Sequence, residues 1–79
     1  MQPKDEMASA HLLFMAARKV HEACLCRLEA AVWAGDRKGI EMAFSALLDS
    51  SQTLGDRLTD QTHAHMKASG IDPFTRRPL

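Results

Sequence analysis

The sequence predicts an all-α protein, a long antiparallel helical hairpin with helices over residues 3–34 and 37–69. Three observations support this fold class. The apolar residues are mostly Ala, Leu and Met, which favour helices. Aromatic strand formers are scarce, with one Trp, three Phe and no Tyr. Apolar residues also recur at three- and four-residue spacing, which is the periodicity of one helical face.

The first helix has a recognisable start and a long apolar face. Pro3 suits a first helical turn, and Asp5 and Glu6 complement the positive end of the helix dipole. Neither Pro nor Gly interrupts residues 8–34. The face predicted to be buried contains Leu13, Phe14, Ala17, Val20, Cys24, Leu28 and Ala31.

The first of two Gly-Asp-Arg segments predicts a turn between the helices. Gly35 accepts the positive φ of a helix C-terminus, and Asp36 is a good N-cap for the next helix. Gly39, four residues later, strengthens the break.

The second helix keeps one apolar phase through the other Gly-Asp-Arg segment. Its predicted buried side contains Ile40, Phe44, Leu47, Leu48, Leu54 and Leu58. Gly55 falls on the same side, so we interpret it as a point of close approach for another helix. The alternative is a three-helix bundle with a turn at Gly55, because the preceding Ser-Ser-Gln-Thr segment is a weak helix former and Asp56 is a good N-cap.

The second helix ends at a clear signal. Gly70 provides a left-handed cap, Ile71 can fold back on the last turn, and Pro73 prevents continuation. We therefore expect residues 1–69 to form the hairpin domain and residues 70–79 an extended C-terminal tail. The first helix carries more apolar surface than one partner covers, so we expect two copies to form a homodimeric four-helix bundle. A compact three-helix monomer is the competing hypothesis.

The histidines give the one metal signal in the sequence. A hairpin turning at residues 35–39 brings His11 within about one turn of His63 or His65. With Asp60 such a group would suit Zn²⁺, although His63 and His65 point to different sides of a helix. A solvated histidine cluster near a helix end is the favoured interpretation, and no cofactor is expected.

Two other groups are assigned structural roles. His21 lies on the apolar side of helix 1, where we expect its imidazole to hydrogen-bond Ser51 across the hairpin. Cys24 is predicted to be buried and Cys26 exposed. On a helix, residues two apart point about 200° away from each other, so no disulfide is expected between them.

Binding groups are predicted at the turn and in the tail. Arg37 and Lys38 begin helix 2 and could hold an anion against its amides. An exposed aromatic side chain and a basic, apolar tail are groups that anchor interfaces. The predicted partner contacts are Trp33, Phe74, Arg76, Arg77 and Leu79.

Charge and composition exclude several classes of function. Ten basic residues balance ten acidic ones, so we expect no nucleic-acid partner. No apolar run has the length of a bilayer span, and the N-terminus lacks the pattern of a signal peptide, so a cytoplasmic location without membrane contact is expected.

The sequence favours a small non-enzymatic interaction module, an adaptor, chaperone-like protein or inhibitor, that binds another protein as a helical dimer. No activated nucleophile with an acid or base partner is evident, so an enzyme is not expected. The alternative function is a sensor of a small ligand, nucleotide or metal built on the bundle.

Overall fold

The computed structural model describes residues 3–79, with side chains from Lys4 onward. Two α-helices pack against each other as an antiparallel hairpin: α1 spans Pro3–Ala34 and α2 spans Arg37–Ala68. The predicted hairpin and its boundaries are confirmed. Because α2 runs unbroken through Gly55, the alternative three-helix bundle with a turn at that residue is wrong.

Two residues, Gly35 and Asp36, connect the helices. Gly35 has a φ of 66°, and its amide donates to the Val32 carbonyl at 3.1 Å. The Asp36 amide donates to the Ala31 carbonyl at 3.0 Å, which completes a Schellman motif. The Asp36 carboxylate in turn accepts the Gly39 amide at 3.0 Å and caps α2. The predicted turn is confirmed, and Asp36 belongs to both helix ends.

Gly39 is required by this cap. A Cβ at position 39 would overlap the Asp36 carboxylate, with the carboxyl Cγ only 2.8 Å away. The same Cβ would lie 3.4 Å from the Cβ of Ala31. Any side chain there would push Asp36 out of its capping position, so the glycine serves the turn although it lies inside α2.

The interface between the helices is a seam of mostly small side chains that recur every seven residues. In α1 the seam contains Ala10, Ala17, Cys24 and Ala31, and in α2 it contains Ala43, Ser50, Arg57 and Ala64. All are buried or partly buried. A seven-residue repeat is the pattern of a coiled coil. Because the seam is built from small groups, no large side chain among residues 4–79 is fully buried.

The apolar residues of α2 divide into two stripes rather than one. Ile40, Leu47 and Leu54 are partly buried beside the seam, as predicted. In contrast, Phe44, Leu48 and Leu58 are about half exposed, so their predicted burial is wrong. Gly55 is exposed too, and no neighbouring atom lies within 4 Å of a Cβ built on it. The prediction that Gly55 is a close-contact point is therefore wrong within the hairpin.

The hairpin is elongated and one helix layer thick. Its dimensions are 53 × 22 × 15 Å, and its radius of gyration is 16.9 Å. A compact chain of this length would have a radius of gyration of about 12 Å. Both broad faces are therefore uncovered, and the predicted pairing of two hairpins into a four-helix bundle stays a prediction. Within residues 3–79, neither helix combines the length and apolarity needed to cross a bilayer.

The C-terminal end of α2 repeats the Schellman motif of α1. The Gly70 amide donates to the Lys67 carbonyl at 3.0 Å, and the Ile71 amide donates to the Met66 carbonyl at 2.8 Å. Gly70 has a φ of 78°. The predicted cap at Gly70 is confirmed.

The tail is not extended, which corrects the prediction for residues 70–79. Ile71 and Pro78 form an antiparallel β-bridge, and the Leu79 amide donates to the Gly70 carbonyl at 2.8 Å. The Asp72 carboxylate holds the intervening turn by accepting the Phe74 amide at 2.8 Å. Aspartate side chains commonly bond to the backbone two residues on, and this bond folds the tail back on itself.

Candidate functional site

One broad face of the hairpin carries an apolar groove between the two helices. One part of the groove has a volume of about 490 Å³ and is lined from α1 by Leu13, Ala16, Ala17, Val20 and Cys24. Because these groups are mostly small, the helix backbones leave an open channel between them. In this part of the groove the α1 side is an apolar wall.

The α2 side of the groove has a different chemistry. It contributes Ala46, Asp49, Ser50, Thr53 and Arg57. The guanidinium Nη1 of Arg57 lies 3.7 Å from an Asp60 carboxylate oxygen, in a partly exposed ion pair. A ligand in the groove would meet hydrocarbon on the α1 side and polar or charged groups on the α2 side.

The groove continues toward the turn. A second depression of about 540 Å³ shares Ala46 with the first and is lined by Ala30, Ala34 and Met42 among others. From Leu13 to Ala34 the groove is roughly 30 Å long at the helical rise per residue. That length accommodates a partner helix of between five and six turns.

The sequence placed two groove residues on the wrong side of α1. Leu13 and Val20 were predicted to be buried with Ala17 and Cys24, yet both are about half exposed at the edge of the groove. The signal for a second stripe was the seven-residue recurrence of Leu13, Val20, Arg27 and Ala34, which is apolar except at Arg27. Each of these residues follows a seam residue by three positions, and the two stripes therefore lie on adjacent strips of the same helix.

A hydrogen bond links the middles of the two helices. The His21 Nδ1 lies 3.0 Å from the Ser50 hydroxyl oxygen, and that hydroxyl donates to the Leu47 carbonyl at 2.9 Å. Because the Ser50 hydroxyl donates its proton to the Leu47 carbonyl, its oxygen accepts a hydrogen bond from the Nδ1–H of His21. The sequence predicted this cross-helix bond but assigned it to Ser51, which is exposed one residue further along.

The hydrogen bonds of this histidine and serine differ from those of a catalytic dyad. Nucleophile activation requires the serine hydroxyl to donate to the imidazole, whereas Ser50 donates to a backbone carbonyl. The arrangement supports a structural role, in which the bond sets the helix register. The two cysteines are free, with Cys24 buried and Cys26 exposed, as predicted.

The predicted histidine cluster is not assembled. Among residues 3–79, no group of three or more His, Cys, Asp and Glu side chains is placed to hold a metal ion. His63 is partly buried and packs against the Phe74 ring, with ring centroids 5.3 Å apart. His11 and His65 are exposed. The metal hypothesis therefore gains no support from the geometry.

The Asp36 carboxylate disfavours the anion site predicted at Arg37 and Lys38. An anion at the start of α2 would use the free amides of the first turn, but the Asp36 carboxylate already accepts the Gly39 amide. The carboxylate would also repel an incoming anion. Arg37 faces Glu41 instead, with Nε 3.8 Å from a carboxylate oxygen.

The predicted partner contacts lie at opposite ends of the hairpin. Trp33 is 90% exposed beside the turn. The tail contacts Phe74, Arg76, Arg77 and Leu79 are exposed at the other end, where Phe74 touches His63. Arg37, at the turn, and His63, beside Phe74, are 26 residues apart on α2, or roughly 39 Å at the helical rise. One small partner site cannot include both groups, so each end offers a separate contact.

A second apolar surface lies on the opposite broad face, and we call it the outer stripe. It consists of Phe44, Leu48, Ser51, Gly55, Leu58 and Thr62 along α2. All six are exposed, and none carries a charge. Their spacing alternates between four and three residues, so they form one straight strip about 120° around α2 from the seam.

Comparisons of the chain with protein-family models, with curated protein sequences and with solved structures give no match. Function is therefore inferred from the geometry of the two apolar faces.

Proposed function

We propose that the hairpin is a non-enzymatic protein-interaction module that receives an amphipathic helix of a partner protein in its groove. The groove itself is the observation that carries this proposal. Between Leu13 and Cys24 it is apolar along α1 and mostly polar along α2, and toward the turn it is mainly apolar, with Arg27 and Asp36 among its lining residues. The whole groove is long enough for a helix of several turns. A helix that lays its apolar face into such a channel is a common mode of protein recognition.

The two walls specify the chemistry of the partner helix. Small or branched apolar side chains on one face would pack against Leu13, Ala16 and Val20. A basic group on the flank would meet Asp49, and an acidic group about two turns away would meet Arg57. These charges set the direction of the bound helix more than its affinity, because exposed ion pairs contribute little.

The alternative function, a small-ligand sensor, fits the groove less well. Small-molecule sites enclose most of the ligand surface. This groove opens along its whole length and continues into a second depression, a shape that leaves a small molecule mostly in water. The open shape favours a helix over a compact ligand.

We also propose that the module works as a homodimer in a reducing compartment such as the cytoplasm. The apolar outer stripe, on a different face from the groove, supports the dimer. The two free cysteines are consistent with a reducing environment. Trp33 at one end and the folded tail at the other would add contacts outside the groove.

The test compares one substitution at two matched sites. Val20→Glu places a charge in the groove, whereas Val32→Glu places the same charge on α1 away from the residues that line it. The two valines are 58% and 55% exposed, so neither change should unfold the hairpin. Affinity capture from the native cell, followed by crosslinking from a photoreactive residue at Ala16, identifies the partner and its contact.

We expect Val20→Glu to abolish crosslinking from position 16 and to weaken capture at least tenfold, while Val32→Glu leaves both unchanged. Equal capture by both variants would contradict the groove as the binding site. Crosslinking to a segment without helical amphipathicity would contradict the proposed chemistry of the partner.

A further inference from the structure

The outer stripe has an internal symmetry about Thr53. Ser51 and Gly55 are equidistant from this position in the sequence, and so are Leu48 and Leu58. Phe44 and Thr62 form the next equidistant pair. A helix that runs antiparallel to a copy of itself, with a two-fold axis at the level of residue 53, would bring the members of each pair face to face.

We propose that the outer stripe is the surface on which a second copy of this chain docks, with the two α2 helices antiparallel and centred on Thr53. The inference deepens the proposed homodimer, on which it rests, by naming the surface and the register. In an isologous interface each residue of one copy meets its pair in the other, and every contact occurs twice.

The sizes of the paired side chains support this register. Ser51 of one copy meets Gly55 of the other at the centre, where two small groups let the helix backbones approach. On either side of that centre, Leu48 of one copy meets Leu58 of the other, so two symmetric leucine pairs flank the point where the helices cross. A shift of seven residues in one direction leaves Leu48 opposite His65. A shift in the other direction leaves Leu58 opposite Glu41.

Polar side chains also match across the same axis. Glu41 and His65 lie just beyond the ends of the stripe, and both are equidistant from Thr53. In the docked pair each carboxylate faces an imidazole of the other copy. Both side chains are exposed in the hairpin. In the hairpin, a Glu41 carboxylate oxygen lies 3.8 Å from the Nε of the exposed Arg37, in a weak ion pair.

The outer stripe is separate from the groove. Around α2, the positions that line the groove lie about 150° from those of the stripe. Docking through the stripe therefore leaves both grooves of the dimer open for partner helices. A second copy accounts for the exposed Phe44, Leu48 and Leu58, while the groove stays available for the proposed function.

The first test adds bulk at the centre of the stripe. Position 55 is exposed and nothing lies within 4 Å of a Cβ built there, so we expect the hairpin to accommodate Gly55→Leu at its surface. Asp56→Leu adds the same side chain one residue later, outside the stripe, and is the matched control. We expect analytical ultracentrifugation to give twice the 8.8 kDa chain mass for the wild type and the control. Gly55→Leu should raise the dimer dissociation constant at least tenfold, while its circular dichroism keeps the helical content.

The second test examines the register. Glu41→Lys should raise the dimer dissociation constant several-fold at low salt, and adding His65→Glu should restore it. Within one chain these residues are 24 positions apart, roughly 36 Å along α2, so a rescue acts between copies. The single variant His65→Glu, which sets two carboxylates face to face, should weaken the dimer as Glu41→Lys does.

The outcomes separate this inference from the proposed function. A wild-type protein that stays monomeric at about 100 µM would overturn the dimer and the stripe together. A dimer that tolerates Gly55→Leu but dissociates with Val20→Glu would overturn the stripe alone, because the groove would then be the dimer interface. Failure of the charge rescue would overturn the register centred on Thr53. Partner capture through the groove is measured independently.

Discussion

The Nδ1 of His21 and the hydroxyl oxygen of Ser50 lie 3.0 Å apart, close to the middle of each helix. Ser50 is buried in a seam otherwise made mostly of alanine, and His21 is partly buried beside it. Apolar seams of small residues have weak preferences for one register over another, because every alanine fits opposite every other. A paired polar group removes that ambiguity, since slipping one helix leaves both groups without a partner.

We expect Ser50→Ala to lower the free energy of unfolding by about 1 kcal/mol, because the His21 imidazole loses its partner in a partly buried site. Ser51→Ala, one residue further along on the exposed side, should change it by less than about 0.5 kcal/mol. Because Ser51 belongs to the outer stripe, urea denaturation of both variants is measured at a protein concentration below the dimer dissociation constant. Equal effects would show that the cross-helix bond contributes nothing to stability.

Two glycines of α2 should respond differently to the same substitution. Gly39→Ala displaces the Asp36 cap, because the new Cβ would overlap the carboxylate, and this loss of about 1 kcal/mol should cancel the gain from helix propensity. Gly55→Ala meets no neighbour and should stabilise it by up to about 1 kcal/mol through helix propensity. Thermal denaturation at a fixed protein concentration, below the dimer dissociation constant, separates these effects from association. Stabilisation by Gly39→Ala would contradict the role given to the cap.

Enlarging the seam should destabilise the hairpin. Ala43 is buried between the helices, so Ala43→Leu forces them apart and should cost about 1–3 kcal/mol. Ala23→Leu adds the same volume at an exposed position of α1 and is the control, with an expected change below about 0.5 kcal/mol. Denaturant titration checks both values. If Ala43→Leu leaves the free energy of unfolding unchanged, the seam is not closely packed and the prediction is wrong.

The folded tail depends on one carboxylate. Asp72→Ala removes the acceptor of the Phe74 and Thr75 amides, which lie 2.8 Å and 3.4 Å from the same oxygen. We expect hydrogen exchange of the Phe74 amide to accelerate about tenfold, as for the loss of a charge-assisted bond. The melting temperature should stay unchanged, since the tail adds little to the helix interface. Unaltered exchange at Phe74 would mean that the β-bridge alone holds the turn.

Local signals predicted the helix ends well. Gly35, Asp36 and Gly70 act through their own backbone geometry and nearest neighbours, so the sequence indicates their role directly. The continuity of α2 through Gly55 was likewise visible as an unbroken apolar phase. The turn at Asp72 is equally local, and an aspartate before proline is a recognised turn signal that the prediction of an extended tail overlooked.

The assignment of faces was harder, because it depends on which of two apolar stripes a helix buries. Large residues such as Leu48 and Leu58 were expected inside on α2, and Ala43 was not among the positions predicted to be buried. In the structure Ala43 is buried and the two leucines are about half exposed, since alanines at the seam allow a close approach of the helices that leucines would prevent. On α1, Ala17 is buried as predicted. The seven-residue recurrence of small residues carried this information, whereas average hydrophobicity did not. The groove was missed for the same reason.

Because Asp36 takes part in the C-terminal cap of α1 and is also the N-cap of α2, the connection contains no residue without a role in a helix end. The length of this connection sets which residues of α1 and α2 face each other along the seam. One inserted residue would therefore rotate α2 by about 100° and turn Ala43 and Ser50 away from α1. Deletions would do the same in the other direction. Changes in length are therefore tolerable at the open end of the hairpin, beyond Ala68 or before α1, and the turn is where this chain has no freedom to vary.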